Sequence, residues 1–227
     1  MKQAETPDAP TALAGALEAI LPGAMLREQF VDARRELVLL LLDDSAANRG
    51  LDSATARRVM DNPLYWIFCW ASGRVLADHL AANPELVRGR RVLDFGAGSG
   101  VAAIAAARAG AAQVIACDTD PLARTATAWN AHRNGVHVTP SADFEDVAGD
   151  VDVILVADVL YDRANLGWLA RFLRRADEVL VADSRVRDFC EPGYVAIGEV
   201  ESSTLPDLGE SREFNRVSLY RGSRRQG

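Results

Sequence analysis

The stretch RRVLDFGAGSG, residues 90–100, decides the fold. A short apolar strand runs into Asp94, and glycines then alternate with small residues at positions 96, 98 and 100. Glycine permits positive φ and close approach of a ligand to the backbone, and a helix that begins near Gly100 directs its N-terminal dipole to the same place. The spacing is Gly-x-Gly-x-Gly, whereas dinucleotide sites use Gly-x-Gly-x-x-Gly. The stretch therefore predicts a ligand-binding loop between a strand and a helix, formed by Gly96, Gly98 and Gly100.

Asp94 is predicted to project a carboxylate at the mouth of this loop. A carboxylate is unfavourable beside a pyrophosphate, because like charges repel, and favourable beside a cationic amine or sulfonium. Asp94 is thus a candidate cofactor-binding residue, and its charge favours a ligand that places no phosphate group here.

Strand-like and helical runs alternate from Arg90 onward. The strand-like runs are RVLDF (91–95), QVIACD (113–118), VHVTPS (136–141), VDVILVAD (151–158) and EVLVAD (178–183), and the helical runs cover 100–109, 121–133 and 165–176. This alternation indicates a parallel sheet with helices on both faces. Two further strand candidates, 194–202 and 214–221, follow without a helix of any length between them. The predicted fold class is a Rossmann-like, doubly wound α/β sheet of seven mostly parallel strands with an antiparallel C-terminal edge.

The N-terminal part of the chain is predicted to be a helical and hairpin extension. It contains a helical stripe in TALAGALEAILPG (11–23), a hairpin around 32–35, a short helix in SATARRVM (53–60) and a clearer helix in SGRVLADHLAANP (72–84), with Ser72 as its cap. We divide the chain into residues 1–85, an extension that packs on the core and covers acceptor and cofactor, and residues 86–227, the cofactor-binding core.

Acidic residues follow the second and third strands of the predicted sheet. Asp118 ends the second strand, twenty-two residues after Gly96, where an acidic side chain accepts both ribose hydroxyls of an adenosine-type ligand. Asp143 is placed to accept the adenine amino group, with Phe144 covering the ring, and an exposed acidic loop is the alternative. This pattern fits NAD and S-adenosylmethionine equally well.

Asp158 and Tyr161 lie at the carboxyl edge of the central strand and are predicted to face the same crevice. The alternative is structural: Asp158 as the N-cap of the following helix and Tyr161 as half-buried packing. Trp66 and Trp70 have the i, i+4 spacing of one helix face. We assign Trp66 to the core and Trp70, beside a Ser-Gly turn, to the wall of the cofactor site.

Charge and lysine content exclude several classes of protein. The net charge of −7 disfavours nucleic acid as the main partner, because phosphate contacts need a basic surface. Lys2 is the only lysine, so P-loop nucleotide hydrolases, pyridoxal enzymes and Tyr-x-x-x-Lys dehydrogenases lack the interior lysine they require. His79, His132 and His137 show no metal-ligand spacing, and no metal site is expected.

The cysteines and the apolar runs predict a cytoplasmic location. Cys69, Cys117 and Cys190 stand far apart and fit reduced cytosolic thiols better than a disulfide framework. The first residues lack the apolar core of a signal peptide, and the run LVLLLL at 37–42 is too short to span a membrane.

Four segments carry a resemblance to a known class of enzymes: VLDFGAGSG, ACD, ADF and ADVLY. They stand in the order and at the distances typical of the class I (seven-stranded) S-adenosylmethionine-dependent methyltransferases, which residues 90–221 resemble. Within that class, YWIFCWASGRVLADHL (65–80) and DVLY are similar to the Trp-x-Ser-Gly and Asp-x-x-Tyr segments of the branch that includes the electron-transfer-flavoprotein β-subunit lysine methyltransferase. The segment ADSRVRDF lacks the Asp-Pro-Gly-Arg run expected of close relatives.

The resemblance implies a role for each candidate residue. Gly96, Gly98 and Gly100 would bind the methionine part of the cofactor, Asp118 the ribose and Asp143 the adenine, while Trp70 would lie against the cofactor and Asp158 and Tyr161 would face the incoming nucleophile. The implied activity is transfer of a methyl group from S-adenosylmethionine, without a metal, to a lysine side chain of a protein substrate.

Three alternatives remain beside this activity. The first is a small-molecule N-methyltransferase of the same fold, which accepts a small amine, and the second is a non-catalytic cofactor-binding module. The third, an NAD dehydrogenase, is disfavoured by the glycine spacing, by the missing second domain and by the lack of Tyr/Lys or Cys/His chemistry. The net charge of −7 leans toward a lysine-bearing partner.

Overall fold

The structure is a computed structural model that describes residues 9–47, 52–161, 163–186, 190–207, 209 and 211–224. The described α-helices are α1 (Ala9–Ile20), α2 (Asp44–Ala47), α3 (Ser53–Asp61), α4 (Ala71–Ala82), α5 (Val101–Arg108), α6 (Pro121–Arg133) and α7 (Gly167–Arg175). The described strands are β1 (Leu26–Phe30), β2 (Val38–Leu42), β3 (Arg91–Phe95), β4 (Gln113–Cys117), β5 (Thr139–Ser141), β6 (Val151–Ala157), β7 (Ala176–Asp183), β8 (Tyr194–Glu201) and β9 (Arg216–Ser223).

A seven-stranded sheet in the order β5-β4-β3-β6-β7-β9-β8 forms the centre of the molecule. Strands β5, β4, β3, β6 and β7 are parallel, and β9 runs antiparallel between β7 and β8. This confirms the predicted fold class of a mostly parallel α/β sheet with an antiparallel C-terminal edge. Because β4 lies on one side of β3 and β6 on the other, the winding reverses at β3, and a crevice opens beyond its carboxyl end.

The strand β5 is shorter than the predicted run over 136–141. The N–H of Val136 donates to the carbonyl of Ala131 at 3.0 Å, and the N–H of Gly135 donates to the carbonyl of His132 at 3.0 Å. These bonds satisfy carbonyl groups at the end of α6, so the residues up to Val136 finish the helix and pairing with β4 begins only at Thr139.

The N-terminal elements match the predicted helix and hairpin. Helix α1 ends at Ile20, just before Pro22 and Gly23, and β1 and β2 pair antiparallel across the turn that contains 32–35. Strand β2 is buried along its whole length. The predicted short helix after Asp52 is confirmed as α3, and the Asp52 carboxylate accepts hydrogen bonds from two N–H groups of its first turn.

One alternative and one expectation about the segment before α4, a shared helix face for Trp66 and Trp70 and the cap by Ser72, are wrong. Trp66 and Trp70 do not share a helix face, because Tyr65–Ile67 form a 3-10 turn and Trp70 precedes the first residue of α4. Ser72 does not cap α4: the helix already begins at Ala71, and the hydroxyl of Ser72 donates to Asp158 instead. The assignment of Trp66 to the core is confirmed, since the residue is fully buried.

Three hydrophobic clusters hold these layers together. Helices α4 and α5 cover one face of the sheet through residues such as Leu76 and Ile104. Helix α7 covers the other face, where Phe172 packs among Phe95, Phe144 and other side chains. The third cluster joins α1, β2, the Trp66 turn and α6. The N-terminal elements therefore contact α6, and β2 also joins the first cluster through Leu39 and Leu41.

Helix α4 belongs to the same apolar cluster as the central strands, although it precedes the predicted boundary at residues 85 and 86. Val75, Leu76 and Leu80 pack in one cluster with Val92 and Val153. The division of the chain into two domains stays a prediction. Across the described part of the chain, no helix is both long enough and apolar enough to cross a membrane.

Candidate active site

The glycine loop connects β3 to α5 with left-handed backbone at each of its glycines. The φ angles of Gly96, Gly98 and Gly100 are 74°, 54° and 84°. A Cβ atom on Gly96 would lie 2.9 Å from Val159 Cγ2, and one on Gly100 would lie 2.8 Å from Thr127 Cγ2. These two positions therefore need glycine both for backbone conformation and for space.

Asp94 does not project at the mouth of this loop, and that prediction is wrong. The side chain is buried beneath the loop, and its Oδ2 accepts a hydrogen bond of 3.0 Å from the N–H of Ala103 in the first turn of α5. Burial raises the pKa of Asp94 to about 7. A carboxyl group here satisfies an N–H that the helix itself cannot pair, so Asp94 supports the loop from below.

Asp118 ties the end of β4 to the glycine loop. Its Oδ2 accepts a hydrogen bond of 2.8 Å from the N–H of Gly98, and its Oδ1 accepts one of 2.9 Å from the N–H of Asp120. Burial raises the pKa of the Asp118 carboxyl, and the hydrogen bond from Gly98 opposes that rise. The structure thus brings together two of the predicted cofactor-binding residues at the crevice.

Asp143 and Phe144 follow β5 but occupy different environments. Asp143 is exposed, and its Oδ1 accepts a hydrogen bond of 2.9 Å from the N–H of Glu145. The Phe144 ring is buried among Phe95 and Trp168, with ring centroids 5.7 and 5.5 Å away. Phe144 therefore serves the core, and its predicted cover over an adenine stays a prediction.

Asp158 joins three elements at the carboxyl edge of the sheet. Its Oδ1 accepts hydrogen bonds from Ser72 Oγ (2.6 Å), Ser184 Oγ (2.8 Å) and Ser184 N (3.1 Å), and its Oδ2 accepts one from Ser72 N (3.2 Å). Its backbone has a φ of 50°, which is uncommon outside glycine. The alternative of an N-cap on the following helix is wrong, because the carboxylate caps the first turn of α4 instead.

Asp183 and Ser184 are site residues that the sequence reasoning missed. Asp183 is fully buried and accepts hydrogen bonds from the N–H groups of Leu160, Arg185 and Val186. Burial, with the nearby Asp158 carboxylate, raises the pKa of Asp183 to about 6. Their position at the end of β7 could have identified them from the sequence, because adjacent parallel strands end at the same edge of a sheet and β7 is next to β6.

Trp70 and Tyr161 each contact the ring of a third aromatic residue, Tyr65. The Tyr65 ring centroid lies 6.0 Å from that of Trp70 and 6.1 Å from that of Tyr161. Trp70 Nε1 donates a hydrogen bond of 3.0 Å to the carbonyl of Tyr65. The predicted wall residue and the predicted nucleophile-facing residue therefore lie on one aromatic surface.

Helix α6 donates two side-chain hydrogen bonds to carbonyl groups of the glycine loop. Thr127 Oγ1 donates to the carbonyl of Gly98 at 3.1 Å, and Asn130 Nδ2 donates to the carbonyl of Ser99 at 2.9 Å. Asn130 Oδ1 also accepts a hydrogen bond of 2.8 Å from the N–H of Leu40 in β2. The buried Asn130 therefore connects the N-terminal hairpin to the loop, a role that its sequence position alone does not reveal.

Comparison with known proteins agrees with this architecture. Residues 80–170 match the family Ribosomal protein L11 methyltransferase (PrmA). Among solved structures, ribosomal protein L11 methylase from Lactobacillus delbrueckii subsp. bulgaricus aligns with a TM-score of 0.51 and 20% identity over 68% of this chain and 79% of that one. Magnesium protoporphyrin IX methyltransferase (ChlM) from Synechocystis PCC 6803, with bound SAH, aligns with a TM-score of 0.52 and 16% identity over 78% of this chain and 90% of that one. Residues 80–170, which include the glycine loop, Asp118 and Asp158, are therefore similar to a methyltransferase domain of the PrmA type.

Within that class, the chain is similar to proteins named electron transfer flavoprotein beta subunit lysine methyltransferase. The Danio rerio protein is 37% identical over 127 residues, which cover 52% of this chain and 49% of the relative. The Rattus norvegicus protein is 39% identical over 101 residues, 43% of this chain and 40% of the relative. The match spans about half the length of these curated relatives or less.

Proposed function

We propose that this protein transfers a methyl group from S-adenosylmethionine to the side-chain amine of a lysine in a protein acceptor. The observation that carries the proposal is the hydrogen bond between Asp118 and Gly98 at the switch point of the sheet, with Asp158 at the end of the adjacent strand β6. The names of the relatives with 37% and 39% identity support the choice of acceptor.

The proposed cofactor site follows the crevice from β3 to β5. Gly96, Gly98 and Gly100 contact the methionine part of the cofactor, and Asp94 holds their loop in place. Asp118 accepts the ribose hydroxyls, Asp143 accepts the adenine amino group, and Phe144 borders the adenine. Trp70 lies against the cofactor. A carboxylate has about four lone-pair positions, so Asp118 can accept ribose hydroxyls in addition to the N–H of Gly98.

The proposed acceptor site lies at the end of β6. S-adenosylmethionine supplies a methyl group on a sulfonium, which leaves as a neutral thioether, so the protein contributes mainly alignment. Asp158 orients the arriving ammonium, which releases one proton to solvent before the reaction. Tyr161 accepts a hydrogen bond from the resulting neutral amine, which attacks the methyl group while the thioether leaves. The aromatic side chains around Trp70 restrict water at this point, which strengthens electrostatic interactions with the reactants.

We also propose that the protein acts in the reducing environment of the cytoplasm, without a metal and without nucleic acid as its main partner. Support comes from Cys69, Cys117 and Cys190, which are free thiols, two of them buried, and from the net charge of −7. The same charge favours the approach of a basic, lysine-bearing protein segment.

The activity is tested by incubating the purified protein with methyl-labelled S-adenosylmethionine and a proteome extract, followed by mass spectrometry of the labelled bands. We expect a protein band that carries label on a lysine side chain. Label found only in small molecules would favour the small-molecule N-methyltransferase. Label in neither pool would favour the non-catalytic module.

The cofactor site is tested by calorimetry of S-adenosylhomocysteine binding to Asp118→Ala. Loss of hydrogen bonds to a charged group is expected to weaken binding roughly 10- to 150-fold. Asp177→Ala makes the same charge change at the opposite end of the sheet, where Asp177 is exposed, and is the control with unchanged affinity. Equal affinity of Asp118→Ala and wild-type protein would remove the ribose assignment.

A further inference from the structure

Tyr65, the partly buried Trp70 and Tyr161 form an aromatic rim at the proposed acceptor site. Tyr65 is 48% exposed and Tyr161 is 55% exposed, although both are large apolar rings. The Tyr65 ring plane is inclined by 60° to that of Trp70 and by 48° to that of Tyr161. The three rings therefore meet at angles and leave ring surface open to solvent.

The backbone, rather than burial of the rings, holds the rim in place. Trp66, next to Tyr65, is fully buried and anchors the turn in the apolar cluster between α1 and α6. Cys69, next to Trp70, exchanges two backbone hydrogen bonds of 2.8 and 2.9 Å with Leu205. Each anchor is one residue away from Tyr65 or Trp70, so packing and hydrogen bonding hold the backbone beside these two rings in place.

Two rim residues are close in sequence to Asp158 or to its hydrogen-bond partner Ser72. Trp70 stands two residues before Ser72, whose Oγ binds Asp158, and Tyr161 stands three residues after Asp158. Among the described residues, Asp158 Oδ2 accepts a single hydrogen bond, from Ser72 N, and so retains acceptor capacity. Open aromatic faces next to a carboxylate are the chemistry that recognises an alkylammonium group.

We propose that Tyr65, with Trp70 and Tyr161, binds the alkylammonium group of the acceptor, both as lysine and in its methylated forms. The inference rests on the proposed function and names the group that its acceptor site recognises. Each methylation removes one N–H donor from the ammonium, which weakens hydrogen bonding to Asp158. Aromatic faces attract the positive charge without needing an N–H, so the rim keeps a partly methylated lysine in place. Tyr65 is a specificity-determining residue in this arrangement.

The test uses the full chain saturated with S-adenosylhomocysteine and two small probes. One probe is N-acetyl-trimethyllysine methylamide, and the other is its uncharged isostere with a tert-butyl group in place of the trimethylammonium. Calorimetry is expected to show about two- to fivefold tighter binding of the charged probe, the range for cation–π contact at an exposed site. Tyr65→Ala is expected to reduce the preference, since Trp70, Tyr161 and the Asp158 carboxylate remain, and Tyr65→Phe, which keeps the ring face, is expected to retain it in full.

Phe30→Ala is the matched control, because Phe30 is a similarly exposed aromatic residue (46%) on the β1–β2 hairpin. It is expected to keep the wild-type preference for the charged probe. Equal binding of the two probes to wild-type protein, or an unchanged preference in Tyr65→Ala, would overturn the inference. S-adenosylhomocysteine binding to each variant is measured first: its loss in Tyr65→Ala alone would make Tyr65 part of the cofactor site and also overturn it.

The same measurements separate this inference from the proposed function. If wild-type protein binds no S-adenosylhomocysteine, the proposed function fails and the inference fails with it. If the cofactor product binds and a lysine becomes labelled, but the probes bind equally, the function stands and only the role of the rim is rejected.

Discussion

Aspartates at the ends of strands stabilise the carboxyl edge of the sheet by accepting hydrogen bonds from backbone N–H groups. Asp94 accepts from Ala103 in α5, and Asp158 accepts from Ser72 in α4. Both helices begin without a side-chain cap of their own. In each case a carboxylate at the end of a strand caps the N-terminus of the helix, a role that a Ser, Thr or Asp directly before the helix usually has. The same hydrogen bond connects the helix to the sheet.

The first prediction concerns the pH dependence of stability at Asp94. Its pKa is raised from 3.8 to about 7 in the folded state, so between these values the folded protein binds more protons than the unfolded chain. The contribution of Asp94 to the free energy of unfolding is therefore lost as pH rises through this window. Asp94→Asn does not titrate, and its amide oxygen can still accept from Ala103. We expect the free energy of unfolding of the variant, relative to wild type, to rise by about 1–4 kcal/mol between pH 5 and pH 8.

Urea denaturation of both proteins at the two pH values measures this difference. Asp177→Asn replaces an exposed carboxylate at the other end of the sheet, and its difference from wild type is expected to stay constant. A relative free energy of unfolding that is equal at pH 5 and pH 8 for Asp94→Asn would contradict the assignment.

At the scale of elements, α6 connects the N-terminal hairpin to the glycine loop through hydrogen bonds. Asn130 binds both Leu40 N in β2 and Ser99 O in the loop. Directly after α6, the side-chain amide of Asn134 accepts a hydrogen bond from the N–H of Val38 and donates one to the carbonyl of Val38. Strand β2 thus pairs with β1 on one edge and with asparagine side chains on the other.

We predict that Asn130→Ala lowers both stability and cofactor affinity. The change leaves a buried donor and a buried acceptor unpaired, which is expected to lower the free energy of unfolding by about 2–4 kcal/mol. It also frees the carbonyl of Ser99, so the loop is less well ordered for binding. Urea denaturation and calorimetry with S-adenosylhomocysteine measure the two effects.

Asn134→Ala is the matched control for this prediction, since Asn134 contacts β2 and its own helix through the hydrogen bonds described and not the glycine loop. It is expected to lower the free energy of unfolding while leaving the affinity for S-adenosylhomocysteine near that of wild type. If both variants lose affinity equally, α6 does not position the loop through Asn130.

At the scale of the whole molecule, the N-terminal elements and the sheet share continuous apolar contacts. Helix α4 is part of the cluster that contains the central strands, and α6 packs against α1 and β2. The glycine loop contacts α6 through Thr127 and Asn130. Cofactor binding is therefore expected to stabilise the extension and the core together, as one cooperative unit.

Thermal unfolding tests this expectation. S-adenosylhomocysteine at 100 times its Kd should add about 2.7 kcal/mol to the free energy of unfolding, which corresponds to an increase in Tm of roughly 5–11 °C for a chain of this size. Calorimetry should show a single unfolding transition whose Tm increases with S-adenosylhomocysteine, whereas homocysteine alone should leave the Tm unchanged. Two transitions, of which the ligand moves only one, would contradict a single unit.

The sequence by itself determined the order of strands and helices, the glycine loop and the placement of acidic residues after strands. These features depend on neighbouring residues: apolar periodicity sets the element, and glycine sets the backbone angles that a turn can adopt. The motif resemblance likewise needed only short segments. For this reason the fold class, the N-terminal hairpin and the burial of Trp66 could be predicted before any coordinates.

Only the tertiary structure decided which partners these residues find. Ser72 and Asp158 are 86 positions apart, and Asn130 and Leu40 are 90 apart, so no local pattern relates them. The insertion of β9 between β7 and β8, the burial of Asp94 and the exposure of Tyr65 also depend on how distant elements pack. Packing sets the burial and hydrogen-bond partners of a side chain, and these are properties of the assembled sheet rather than of a sequence window.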